Sequence, residues 1–240
     1  MPAMLRNFNP NEVILGHNNK RYKIDTQWSK INAAQYPVKD CHEMVQDKLG
    51  RIILLTNETK NNVIIYDKSG KLINTWGSEY PGAHGLTLFN ENGDDVLFIC
   101  DNNRHQVIKT TIYGRVLLTL DYPKETGQYT KAEEYVPTET IIAPNGDIYV
   151  ADGYGKDFII QYDAKGNYIR HFGGRGDGDH FLLNAHGICI DNRDKNKPCL
   201  IATSRQQNAF KRIAGFTMWR TRVKGSRTRR NSKTCCAIFR

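Results

Sequence analysis

The sequence predicts an all-β chain made of repeated four-stranded units. Three observations carry this expectation: one motif recurs four times, short β-rich runs alternate with Gly and Asn turn signals, and helical periodicity is absent. The first unit runs from Cys41-His42 through Arg51-Ile52-Ile53-Leu54-Leu55 and Val63-Ile64-Ile65-Tyr66 to Trp76-Gly77. The second opens at Ala83-His84-Gly85-Leu86 and continues through Asp95-Val96-Leu97-Phe98-Ile99-Cys100-Asp101 and Val107-Ile108. The third opens at Pro137-Thr138 and contains Ile148-Tyr149-Val150-Ala151-Asp152 and Phe158-Ile159-Ile160 before closing at His171-Phe172-Gly173. The fourth opens at Ala185-His186-Gly187-Ile188, includes Pro198 to Thr203, and fades after Arg212.

Equivalent positions 42, 84, 138 and 186 lie 42, 54 and 48 residues apart. Units of this length, with turns such as Asn145-Gly146 and Ser69-Gly70, are the blades of a β-propeller, which stack because a single blade cannot bury both its faces. A β-sandwich, the rival for a series of short strands, has no reason to repeat one motif at this period. If each blade is an antiparallel meander, the start of its first strand and the loop after its second strand meet on one face of the disc. That places His42, His84, Thr138 and His186 around the channel mouth, beside the segments that begin at Asn57, Asp101, Asp152 and Thr203. His17, His105, His171 and His180 fall in loops or on the surface by the same reasoning.

Charge separates the repeats from the C-terminal segment. The 240 residues carry 34 Lys and Arg against 25 Asp and Glu, but 13 of the basic residues and none of the acidic ones lie from Lys195 onward. Residues 1–194 therefore have a net charge of −4. A basic patch interleaved with aromatics, as nucleic-acid binding needs, is not spread over the repeats, so nucleic acid is an unlikely partner. Residues 213–240 lose strand alternation and acidic residues together and read as an out-of-frame or truncated end, with a basic RNA or membrane anchor as the functional alternative. Residues 1–36 hold two short strand candidates, Glu12-Val13-Ile14-Leu15 and Arg21-Tyr22-Lys23-Ile24, that suit a partial blade. The blades proper are expected over residues 37–212.

No run approaches the apolar length of a membrane span. The first residues show no secretory leader, and the six cysteines form no CxxC pair, which fits reduced thiols and a cytoplasmic location.

Three stretches go beyond a generic propeller: Ala83-His84-Gly85-Leu86, Asp152-Gly153-Tyr154-Gly155, and Ala185-His186-Gly187-Ile188 with Thr203-Ser204-Arg205. The blade pattern resembles NHL repeats, and this set of residues resembles the peptidyl-α-hydroxyglycine α-amidating lyase family over about residues 40–212. His105-Gln106-Val107 falls where that family has a similar run. The resemblance implies a six-bladed propeller, of which this chain is a fragment, and a zinc-dependent lyase that splits a peptidyl α-hydroxyglycine into a peptide amide and glyoxylate. It further implies His84 and His186 as zinc ligands, Tyr154 as the catalytic phenol and Arg205 as the substrate-orienting cation. By the same resemblance the third zinc histidine would belong to a blade beyond Arg212 and is missing from this chain, and three blades with part of a fourth leave such a ring open.

The residues themselves allow this chemistry. Zinc accepts neutral imidazole nitrogen and keeps an open position at catalytic sites, and the fork of an arginine suits a carboxylate. A free phenol titrates near 10, so base chemistry by a tyrosine requires a neighbouring cation. Each residue also has a structural role open to it: the histidines as polar channel residues, His42 in a channel hydrogen bond, Tyr154 as a turn aromatic between two glycines of unusual backbone angle, Arg205 in a surface ion pair. The alternative function is a non-catalytic propeller whose loop face binds a protein or peptide partner. A gluconolactonase-like hydrolase fits less well, because that chemistry usually needs acidic metal ligands and the start-of-strand positions offer histidines.

Overall fold

The computed structural model describes residues 14–16, 18–176, 178, 180–194, 198–204 and 209–212. His17, Arg205 and the tail 213–240, each singled out in the sequence, lie outside them. Strands β1 (Ile14–Leu15) and β2 (Tyr22–Lys23) pair with each other as an exposed two-stranded ribbon. They coincide with the two short strand candidates near the N-terminus.

Three four-stranded antiparallel meanders come next in the chain. The first contains β3 (Glu43–Gln46), β4 (Ile52–Leu55), β5 (Val63–Tyr66) and β6 (Leu72–Trp76); the second contains β7 (Ala83–Glu91), β8 (Asp94–Asp101), β9 (Gln106–Thr111) and β10 (Val116–Leu120). The third contains β11 (Glu139–Ile142), β12 (Ile148–Ala151), β13 (Phe158–Tyr162) and β14 (Tyr168–Gly173). A last sheet shows three strands among the described residues, β15 (Ala185–Asp191), β16 (Cys199–Ser204) and β17 (Ala209–Arg212). In every sheet the strands pair in chain order, so each is a blade and the fold is a β-propeller.

The blades are held by side chains that point alternately into two neighbouring interfaces. In β8, Leu97 and Ile99 join Ile53, Leu55, Val63 and Ile65 of the first blade, whereas Val96, Phe98 and Cys100 join Ile148, Val150 and Ile160 of the third. Strand β12 repeats the division: Ile148 and Val150 face backward, and Tyr149 and Ala151 pack forward on Leu200 and Ala202. This is why β8 and β12 each read as an unbroken apolar run rather than an alternating one. A strand covered on both faces has no solvent side on which to place polar residues.

Polar groups enter this packing at the loops. Asp101, fully buried at the end of β8, accepts hydrogen bonds from the backbone N–H groups of Gly82 (3.2 Å), Asn103 (2.9 Å) and Arg104 (2.8 Å). Trp28 packs on Tyr66 with ring centroids 5.3 Å apart, so the segment before the first blade covers part of its outer face. Among the described residues no helix is long and apolar enough to cross a membrane.

The two-sided packing has a direct energetic consequence. Ile99→Ala, at a fully buried position, is expected to lower unfolding free energy by about 2–5 kcal/mol through lost burial and a residual cavity. Ile73→Ala, at a side chain 46% exposed on an outer strand, is expected to cost under about 0.5 kcal/mol. Urea unfolding of both variants beside the parent measures the difference.

Candidate functional site

The innermost strands β3, β7, β11 and β15 bring His42, His84 and His186 together with Tyr154 around one cavity of about 340 Å³. The rings form a contiguous set. His42 stacks on His84 at 4.4 Å with 25° between planes, His84 and His186 are 5.3 Å apart, and Tyr154 meets His186 edge-on at 4.5 Å and His84 at 5.3 Å. The sequence expectation that the histidines crowd the channel mouth agrees with this arrangement. For His42 the structure adds what spacing did not suggest: its observed contact with the site is a stacked ring.

Backbone register explains which histidines turn inward together. In β7 the pairing with β8 runs Ala83 to Asp101 and then Leu86 to Ile99, and in β15 the pairing with β16 runs Ala185 to Ser204 and then Ile188 to Ala202. Each skips one residue at the His-Gly step. Such a β-bulge bends the strand and re-aims its side chains, so His84 and His186 leave the regular alternation at the same point of two alternate blades. Strands β3 and β11 keep a regular register from Glu43 and Glu139 onward.

His84 is held in one tautomer. Its Nδ1 lies 3.0 Å from the backbone carbonyl of Thr138, which can only accept, so Nδ1 carries the proton and Nε2 presents a lone pair. Nε2 is buried without a hydrogen-bond partner among the described residues. Burial lowers the pKa of this imidazole below the ordinary histidine value, which keeps the ring neutral near pH 7.

Tyr154 stands on the loop that leaves β12. Asp152, fully buried, closes that loop: its Oδ1 accepts the Val136 N–H (2.6 Å), and its Oδ2 accepts the Lys156 N–H (2.6 Å) and the Tyr129 hydroxyl (2.7 Å). Burial raises the pKa of Asp152 to about 6 against the pull of those donors. The glycine beside Tyr154 is needed for space, not for backbone angle. Neither Gly153 nor Gly155 has a positive φ, which corrects the turn-angle reading, and a Cβ on Gly153 would come within 1.9 Å of the Ala185 carbonyl oxygen. That close approach is what brings Tyr154 against His186.

Two further cavity residues, Glu43 and Glu139, were not singled out in the sequence. Each comes directly after a channel position, and the residues there alternate Glu43, Gly85, Glu139, Gly187. This alternation is the signal that would have found them. Glu43 Oε2 accepts the Leu86 N–H at 2.8 Å, and Glu139 Oε1 accepts the Thr140 N–H at 2.8 Å and lies 3.1 Å from the Thr87 hydroxyl oxygen. Burial, a hydrogen bond with Glu43 and the charge of Glu43 hold the Glu139 carboxyl well above the usual carboxylate range.

The donor set has limits. Among the described residues no three His, Cys, Asp or Glu side chains are grouped to hold a metal. His105, read as a loop residue, is half-buried with its Nδ1 2.7 Å from the Tyr135 carbonyl. His171 pairs with the Tyr168 hydroxyl at 2.7 Å on an outer strand.

A four-sheet propeller with imidazoles and a phenol at the channel mouth is the class defined by this fold and site. No family model matches the chain. In sequence it is 34% identical over 130 residues to a probable peptidyl-alpha-hydroxyglycine alpha-amidating lyase of Caenorhabditis elegans, covering 53% of this chain and 34% of that protein. It is 33% identical over 109 residues to peptidyl-alpha-hydroxyglycine alpha-amidating lyase 1 of Drosophila melanogaster, covering 44% of this chain and 19% of that one. The chain thus spans about a third or less of the length of these curated relatives. A solved streptogramin B lyase superposes with a TM-score of 0.54 at 16% identity, covering 75% of this chain and 53% of that one. An inactive virginiamycin B lyase variant from Staphylococcus aureus, solved with quinupristin, gives 0.52 at 16%, covering 73% of this chain and 52% of that one. The structural likenesses establish the propeller fold. The chain is a β-propeller that resembles the peptidyl-alpha-hydroxyglycine alpha-amidating lyases.

The Glu139 carboxyl makes stability depend on pH in a definite direction. The native state keeps a proton that the unfolded chain releases above its ordinary glutamate value, so stability is full below that value and is lost as pH rises through the higher native one. The slope contributed is at most about 1.4 kcal/mol per pH unit. Glu139→Gln is expected to flatten that part of the profile, measured as urea midpoints between about pH 5 and 9.

Proposed function

We propose that this chain carries part of a lyase site that acts on a peptidyl α-hydroxyglycine and releases a peptide amide and glyoxylate. The observation that supports this reading most is the meeting of His84, His186 and Tyr154 on one cavity, with ring separations of 4.5 to 5.3 Å. The names of the curated relatives support the substrate class, and the products belong to the proposal.

The residues fit zinc as a partial ligand set. A ligating histidine presents one ring nitrogen and commits the other to a carbonyl or carboxylate. His84 has that form, with Nδ1 on the Thr138 carbonyl and Nε2 unpartnered, and the His186 ring lies beside it. These two imidazoles would occupy two positions of a tetrahedral site; a further protein ligand would come from outside the described residues. When bound, zinc supplies Lewis acidity toward a substrate oxygen.

The chain's own part concerns the proton. In this reaction the O–H proton of the carbinolamide leaves, the C=O of glyoxylate forms, the C–N bond breaks, and the amide nitrogen takes up a proton. Tyr154, 41% exposed at the mouth and in edge contact with both imidazoles, would take the proton as a phenolate favoured by bound zinc and return it to nitrogen. His42 stacks on His84 at one side of the cavity. Arg205, outside the described residues, would orient the substrate carboxylate through its guanidinium fork.

With a peptidyl α-hydroxyglycine as substrate and glyoxylate as the readout in the full-length protein, Tyr154→Phe is expected to lower turnover by about 10²–10⁴-fold with bound zinc retained. His84→Ala and His186→Ala are expected to lower both turnover and zinc content. Unchanged turnover in all three variants overturns the reading.

A further inference from the structure

Thr138 occupies the start-of-strand position in the third blade where the other blades carry histidine. It is fully buried, and each of its polar atoms has a partner. Its N–H donates to the Ala151 carbonyl at 2.8 Å, which fixes the residue to β12. Its carbonyl accepts from His84 Nδ1 at 3.0 Å. Its hydroxyl oxygen lies 2.7 Å from the Ala185 carbonyl and 3.1 Å from the Ala151 carbonyl, and it accepts the Gly153 N–H at 3.3 Å. A hydroxyl has one proton to give, and the shorter contact assigns it to Ala185.

The geometry points to Thr138 as the positioning residue of this site, a residue that holds His84 through its carbonyl and the segments bearing His186 and Tyr154 through its hydroxyl. Ala185 precedes His186 at the bulge, Gly153 precedes Tyr154, and His84 is bonded directly. The proposal rests on the reading of those three residues as the working groups.

Two details make the arrangement specific. The carbonyl that orients His84 belongs to the backbone and any residue would supply it, so the part that depends on sequence is the hydroxyl. That hydroxyl bridges two segments, the β12 loop and the entry to β15, that are 32 residues apart in sequence at Gly153 and Ala185. The space is also matched. A Cβ on Gly153 would lie 2.9 Å from the Thr138 Oγ1, so a larger group at either position pushes the Tyr154 loop away. A histidine here, as in the other blades, would occupy the volume that the loop uses. Asp157, fully buried, reinforces the same joint by accepting the Ala185 N–H at 3.1 Å on Oδ1.

The test compares Thr138→Val, which removes the hydroxyl and keeps the shape, with Thr138→Ser, which keeps the hydroxyl. In the parent and in T138S, NMR is expected to show a cross-relaxation peak between the Tyr154 and His186 rings. In T138V that peak is expected to disappear, while the His84 Nδ1 resonance stays that of a protonated nitrogen. In the glyoxylate assay, T138V is expected to lower kcat about tenfold with little change in KM, and T138S to restore it. Retention of the ring contact and of kcat in T138V overturns the proposal. If the full-length parent releases no glyoxylate yet the ring contact depends on the hydroxyl, the lyase reading fails and the positioning role stands. Should T138V not fold, the parent alone decides: a slowly exchanging Thr138 hydroxyl proton near the Gly153 amide supports the bridge, and its absence overturns it.

Discussion

The constraint on which the rest of the structure depends is that the second strands of the two middle blades, β8 and β12, bury both faces. Leu97 and Ile99 belong to one interblade interface and Phe98 and Cys100 to the next, so neither middle blade can shift without disturbing two cores. Packing at interior density transmits such shifts rather than absorbing them. The first strands inherit their positions from this stack. β7, β11 and β3 are further tied to one another by polar contacts, the Thr87 hydroxyl on the Thr140 carbonyl at 2.8 Å and the Leu86 N–H on Glu43 at 2.8 Å. A site assembled from four strands needs that rigidity, because ring contacts of 4.4 to 5.3 Å do not survive independent motion of their supports.

Within this frame the blades alternate in character. The second and fourth are bulged at Ala-His-Gly and deliver His84 and His186; the first and third run in regular register and deliver the carboxyls Glu43 and Glu139, with His42 beside Glu43. The glycines of the bulged blades make room for the neighbours. A Cβ on Gly85 would lie 2.5 Å from the very Thr138 carbonyl that orients His84. Electrostatics obey the same burial. A low-dielectric channel disfavours charge on an imidazole and on a carboxyl alike, so His84 is lowered and Glu139 raised, and both tend toward neutrality.

Much of this was legible in the sequence because it depends on period and on residue class. The repeat at positions 42, 84, 138 and 186, the two-sided apolar runs and the Asp101 and Asp152 loop ends are local patterns, and they pointed to the propeller, the histidine positions and the loop that carries Tyr154. What sequence reasoning missed depends on partners distant in the chain. Glu43 and Glu139 are ordinary strand residues until the channel brings them together. Thr138 reads as a gap in a row of histidines, and only the fold shows its hydroxyl between Gly153 and Ala185. The Tyr129 hydroxyl on Asp152 comes from the connection before the third blade, a stretch with no repeat signal.

The division of labour between blades bears on how such a site tolerates change. Core positions such as Ile53 or Ile160 ask only for apolar volume, and volume-conserving exchange there costs little. The Thr138 joint asks for a hydroxyl of one size, a glycine at 153 and a bulge at Ala185-His186 at once, since each fills or vacates space that another uses. A buried polar group left without its partner forfeits its full desolvation cost, so loss of one member penalises the rest. The histidines and the tyrosine are therefore held by the hydroxyl, carbonyl and glycine between them as well as by their own bulged strands.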